Sequence, residues 1–201
     1  MLVAGLSGLA TAGQVGWYRG SRLSSLMGRE FLCYKGRIMD VIVRVAEQQD
    51  IPDIVRLWWQ MMDYHAMMDT RFRPLPAPEA KRIWEKHLRE DLWDREAHHI
   101  LVAEVDGQMA GMMIGALRAP YPVFEPERFG FVVGAAVGQD ARRSGIGRAL
   151  FEALKAWFRE QGVASIQLEA GHHNPTSQPF WRAMGFTNYM DVMWADLEEA
   201  S

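Results

Sequence analysis

The 201-residue chain is 49% hydrophobic and carries 22 Lys and Arg against 25 Asp and Glu, so it can bury one sizeable core and offers no broad basic field for nucleic acid. Its one cysteine, Cys33, excludes an intrachain disulfide and a Cys-rich metal site and fits a reducing compartment, the cytoplasm by default. No unbroken run of about 18 apolar residues occurs, so no ordinary membrane-spanning helix is expected.

Residues 1–38 hold Arg19, Arg22, Arg29, Lys35 and Arg37 against the single acid Glu30, whereas 39–201 carry 24 acids and 17 bases. This shift, with no sustained period of 2 or 3.6, predicts a disordered N-terminal extension over 1–38 and a single domain over 39–201. VAGLSGLATAG near the start lacks the first glycine of a dinucleotide-binding turn and has no strand–helix–strand unit behind it. The segment also lacks the basic start and long apolar run of a secretory signal.

VIVRVA at 41–46 reads as a strand. Asp50 as N-cap, Pro52 as an early helical residue and Asp53 in the first turn then open a helix over 51 to about 68, whose buried face runs Ile51, Ile54, Val55, Trp58, Met61, Met62 and His65. A second helix over about 78–93 turns Ile83, Trp84, Leu88 and Leu92 inward. HILVAEVDGQMAGMMIGALR is a hairpin turning at Asp106-Gly107. The prolines at 120, 122 and 126 then make 118–129 a loop, and FGFVVGAAV at 129–137 is a central strand.

After that strand comes ARRSGIGRALF. Gly145 and Gly147 permit close approach of a ligand, and the free N–H groups of the helix that follows favour a phosphate, with Arg142, Arg143 and Arg148 at the rim. A Walker loop is excluded because Arg148 and Ala149, in place of Lys and Ser or Thr, follow the last glycine. The helix runs to a C-cap at Gly162, ASIQLEA is the next strand, and SQPFWRAMG a short helix. Strands around 186–190 and 192–197 close the chain. The predicted fold is α/β (α+β), a mixed sheet in the order β-α-α-β-β-β-α-β-α-β-β with helices packed on both faces.

The segment from Val137 through Arg142, Gly145, Gly147 and Ala149 resembles the acetyl-CoA-binding motif V-x-x-x-x-R-x-x-G-x-G-x-A of the GCN5-related N-acetyltransferase (GNAT) superfamily. Asn174 to Phe186 is similar to that family's second motif, N-x-x-A-x-x-F-Y-x-x-x-G-F. The resemblance covers about 41–197 and implies a mostly antiparallel central sheet. It further implies acetyl-CoA as co-substrate, held by Ala135, Ala136, Val137, Arg142, Arg143, Ser144, Gly145, Ile146, Gly147, Arg148, Asn174, Ser177 and Trp181. The implied reaction is direct attack of a small-molecule or peptide amine on the thioester. A homodimer is a further expectation.

Two departures bear on the chemistry. The strand at 129–137 contains no carboxylate, and Trp181, a hydrogen-bond donor but no practical acid, stands at the motif's Tyr. Glu169, His172, His173 and Tyr189 are the replacement candidates for proton transfer. Asp63, His65, Asp69 and Phe124 are candidates for receiving the acceptor, and no metal site is expected. The alternative reading is a module that binds acyl-CoA with little or no transferase activity.

Overall fold

The structure, a computed structural model, describes residues 27–34, 37–93, 96–121, 123, 125–195 and 197. Its elements, in chain order, are β1 (Met27–Tyr34), β2 (Arg37–Val45), α1 (Ile51–Met68), α2 (Ala77–Glu90), β3 (His98–Val105), β4 (Gln108–Arg118), β5 (Phe129–Val137), α3 (Ile146–Glu160), β6 (Ile166–Leu168) and α4 (Ser177–Ala183). The six strands form one sheet in sequential order; the first four pairings are antiparallel and β5–β6 is parallel. The mixed, mostly antiparallel sheet expected from the sequence is the one observed.

Two hydrophobic layers flank the sheet. On one face α3 buries Ile146, Leu150, Phe151, Leu154 and Phe158 against Val41, Val43, Leu101, Met113 and Val132. On the other, Ile51, Ile54, Leu57 and Leu88 of α1 and α2 meet Ile100, Val102, Met112 and Ile114. Alternate residues of β3 and β4 thus serve opposite layers, as the two-residue period of a strand requires. Each fully buried side chain contributes about 1.5–3 kcal/mol. The sheet is shaped to admit α3: a side-chain carbon on Gly115 would collide with Leu154, and one on Gly130 would stand 2.8 Å from Phe158.

The predicted boundary at Met39 is corrected. β1 and the start of β2 lie within 1–38 and form an antiparallel hairpin with Leu32 opposite Met39. Residues 1–26 lie outside the described residues. The basic composition hid β1 because an edge strand is selected by its long-range pairing with β2 more than by its own residues.

The predicted strands at 186–190 and 192–197 are also corrected, since 187–195 form neither helix nor strand. A strand needs a partner edge, and β6 runs for only three residues. Tyr189, Met190, Val192, Met193, Trp194 and Leu197 are all exposed. Ile83, expected inside, is exposed as well, whereas Leu88 and Leu92 are buried.

The predicted N-cap at Asp50 takes another form. Its carboxylate accepts from the Glu47 amide at 2.7 Å and from Arg44 Nη1 and Nη2 at 2.6 and 2.8 Å, closing a 3-10 turn before α1. Arg44 also donates to Glu104 on β3 through Nε at 2.9 Å and through Nη2. Burial pushes the Asp50 carboxyl up, but hydrogen bonds from Arg44 and the Glu47 amide outweigh it, and the group is held below the ordinary carboxylate range. The triad joins β2, β3 and the entry to α1, which fixes the helix over β5.

Candidate functional site

The site begins where two neighbouring strands part. β5 and β6 pair only from Gly130–Ile166 to Val132–Leu168, yet β5 continues to Val137. On its other side β5 remains paired with β4, where Met112 faces Ala136 and Met113 faces Ala135. Residues 133–137 therefore have one edge in the sheet and, among the described residues, one edge with no strand beside it. A register shift between Ile114 and Gly115 leaves Val133 without a β4 partner at the point of parting, the kind of bulge that bends a strand. The result is a slot with an open backbone edge, suited to an extended polar chain.

At the end of the slot lies the glycine–arginine turn. Gly145 caps α3 with φ +97°, a conformation that excludes other side chains, and Arg143 also has a positive φ of 63°. The first helical amide to close on the turn is Ala149 N–H, to Gly145 O at 3.0 Å. The amides of 146–148 precede it and are the unsatisfied donors of a helix start. Arg143 and Arg148 are exposed beside them and form no ion pair with an acid among the described residues. Ser144 is buried and donates to Ala141 O at 2.5 Å, which fixes the turn's shape.

Gly147 also makes room within the fold. A side-chain carbon there would meet the Phe180 ring at 3.3 Å, so its absence lets α4 close on α3. Trp181 is likewise part of the core, with Phe151, Phe180 and Phe186 ring centroids 4.7–5.6 Å away in edge-on arrangements. Asn174 is buried, and its side-chain oxygen accepts from the Thr176 and Ser177 amides at 3.0 and 2.9 Å. It therefore caps α4. Ser177 Oγ is buried with no hydrogen-bond partner among the described residues.

Opposite the slot, the last turn of α1 meets the segment after β6. His65, Met68, Asp69, Phe72, Gly171, His172, His173 and Asn174 line a pocket of about 50 Å³. That volume admits one small group of a ligand. Asp69 accepts from Arg71 Nε and Nη2 at 2.8 and 2.6 Å and from the Arg71 amide at 3.0 Å. These bonds, with the nearby His173, hold its carboxyl down at about 2. His65 stacks obliquely on Phe72 at 5.1 Å, and burial lowers the pKa of its imidazole. Its Nδ1 is buried without a hydrogen-bond partner among the described residues.

The pocket thus unites His65, Asp69, His172, His173 and Asn174 of the sequence candidates. Asp63 is exposed and does not line it. Phe124 lies outside the described residues. Glu169 is exposed just past β6, and Tyr189 is exposed in the terminal segment. Sequence reading missed Tyr64, whose hydroxyl lies 3.0 Å from Thr176 Oγ1 and whose ring lies under the Arg142 guanidinium at 4.9 Å. Tyr64 lies beside the apolar face of α1 and not on it, so the helical spacing gave no signal for the turn it faces.

The residues from 58 to 186 match the family model described as Acetyltransferase (GNAT) family. The chain belongs to that family and is an N-acetyltransferase, moving an acetyl group to an amine. It is 30% identical over 110 residues to the aminoglycoside N(6')-acetyltransferase type 1 of Stenotrophomonas maltophilia, covering 54% of this chain and 72% of that one. Among solved structures, a mutant of the BH1408 protein from Bacillus halodurans superposes with a TM-score of 0.66 at 20% identity, over 78% of this chain and 99% of that one. Aminoglycoside N-acetyltransferase AAC(6')-Iy in complex with CoA gives 0.62 at 18% identity, over 81% and 98%. These two likenesses concern the fold.

Proposed function

We propose that the acyl donor is acetyl-CoA and that the acceptor is the amine of a small, cationic molecule of the amino-sugar class. The slot along 133–137, ending at the α3 amides, carries this reading. It matches an extended arm that terminates in a pyrophosphate. Charge-assisted hydrogen bonds from the amides of 146–148 contribute about 1.5–3 kcal/mol each, with Arg143 and Arg148 beside them. Acetyl-CoA supplies an activated thioester, and everything else falls to this chain.

The pocket receives the acceptor. The charge of Asp69 attracts an ammonium group, and Phe72 and Met68 offer an apolar wall beside it. The chain's acidic balance favours approach of a polycation. A lysine-like amine is protonated at neutral pH, and presenting it neutral costs about 4–5 kcal/mol. His173, exposed at the pocket's edge and near Asp69, accepts that proton. The amine nitrogen then bonds to the acyl carbon as the carbon–sulfur bond breaks, and the departing thiolate takes up the proton that the nitrogen sheds in becoming the amide. Glu169 and Tyr189 are exposed and do not line the pocket; His172 lines it too, but His173 is the one whose charge acts on Asp69, which favours His173 as the base. Of the arm-binding residues, Ala135–Val137 offer backbone groups, while Asn174 and Trp181 act by shaping α4.

The named relatives favour this transferase reading over a silent acyl-CoA-binding module. No helix among the described residues is long and apolar enough to cross a membrane. We assign the enzyme to the cytoplasm and expect a homodimer. The test is thiol release from acetyl-CoA against a panel of aminoglycosides, polyamines and peptide N-termini. Acceleration by the aminoglycosides supports the assignment. Tight acetyl-CoA binding with no amine-stimulated thiol release would overturn it.

A further inference from the structure

The slot between β5 and the segment after β6 has two sides, one toward α3 and α4 and one toward α1. On the first side Phe180 fills the space over Gly147 and Val137. On the second, Tyr64 of α1 reaches Thr176, and the two hydroxyl oxygens are 3.0 Å apart. The Tyr64 ring also carries the Arg142 guanidinium at 4.9 Å. Arg142 in turn donates from Nε to Val137 O at 3.3 Å, a carbonyl at the end of the slot-forming stretch of β5. One chain of contacts therefore runs from β5, through Arg142 and Tyr64, to the segment that starts α4.

We propose that Tyr64 and Thr176 form a strap that closes the slot on the α1 side and retains the pantetheine arm of the acyl donor. This rests on the acyl-CoA reading given above. Its physical basis is that β5 and β6 supply no mutual hydrogen bonds beyond Val132–Leu168. Tyr64 is the one residue of α1 whose hydroxyl spans to the far wall among the described residues. An arm lying beneath this contact leaves sideways only if the hydroxyl pair opens. Tyr64 is thus a positioning residue. Because it directly precedes the pocket-lining His65, it also ties retention of the donor to the helix that lines the acceptor pocket.

The test compares two probes on the full chain: coenzyme A, which has the arm, and adenosine 3',5'-bisphosphate, which lacks it. Tyr64→Phe removes only the hydroxyl and keeps the ring beneath Arg142. Loss of one neutral hydrogen bond predicts a Kd for coenzyme A raised about 2- to 10-fold, expressed chiefly as faster dissociation. The bisphosphate Kd stays unchanged. Thr176→Val gives the same pattern, Thr176→Ser restores binding, and the double variant is no weaker than either single one. Equal coenzyme A affinity in Tyr64→Phe, or equal weakening of both probes, would overturn the strap. Should Tyr64→Phe fold poorly, the Thr176 pair decides the matter from the opposite wall. Failure of the wild-type chain to bind coenzyme A would instead overturn the acyl-CoA reading.

Discussion

The Phe180 ring occupies the space that a side chain on Gly147 would need, 3.3 Å from the position of its missing carbon. Gly147→Ala gains helix propensity of up to about 1 kcal/mol and incurs about 1–3 kcal/mol of overpacking. The expected net is a loss of roughly 1 kcal/mol, read as a lowered midpoint in urea. Gly147→Ala with Phe180→Leu recovers most of it. An unchanged midpoint in the single variant would show that the ring yields freely.

Asp50 is nearly buried and shares Arg44 with Glu104. Asp50→Asn keeps the shape of the turn but leaves Arg44 one carboxylate short. Because bonds to charged groups are the stronger ones and Arg44 is itself mostly covered, the variant loses about 2–3 kcal/mol. Arg44→Lys, with no fork to span both acids, falls between. Denaturant melts rank the three proteins.

Three groups shape the acid side of the stability curve, and one of them, Asp50, is held below the ordinary carboxylate range, so its contribution is lost at acid pH in every Asp69 or His65 variant alike. Asp69 has a folded pKa of about 2, below its ordinary value. Its contribution is complete above about pH 5 and is lost as pH falls through the range from about 4 to 2. His65 is lowered by burial, so the unfolded chain binds its proton first, and stability declines as pH falls below about 6.5. Asp69→Asn should flatten the lower range, and His65→Gln the upper. Thermal melts from pH 8 to pH 3 separate them.

His173 at the pocket edge predicts a rate effect without a binding effect on the donor. His173→Gln lowers kcat/KM about 100-fold or more, the range of a lost general base. The coenzyme A dissociation constant does not move. A loss confined to KM for the amine would make His173 a binding residue and not a base.

Much of the fold was legible because its signals are local. The Asp106-Gly107 turn defined the β3–β4 hairpin, and the spacing of Ile146, Leu150, Leu154 and Phe158 defined α3. The turn at Gly145 was equally plain, since its positive φ demands glycine. What escaped depends on partners remote in sequence. β1 exists through its ladder with β2, and Tyr64 finds Thr176 across 112 positions. The apolar residues of 189–197 suggested strands, but no partner edge meets them among the described residues. The packing role of Gly147 was not legible, because nothing in the order of residues places Phe180 above it.

Tyr64 and His65 are consecutive on α1, about 100° apart around its axis, and in the functional reading proposed above Tyr64 faces the donor slot and His65 the acceptor pocket. A shift or rotation of that helix cannot improve one position without disturbing the other. Divergence toward new acceptors is therefore channelled into the two short segments that complete the pocket, Asp69 to Phe72 and Gly171 to His173. There a residue can change size or charge while the helix, and the hold on the common donor, stay as they are.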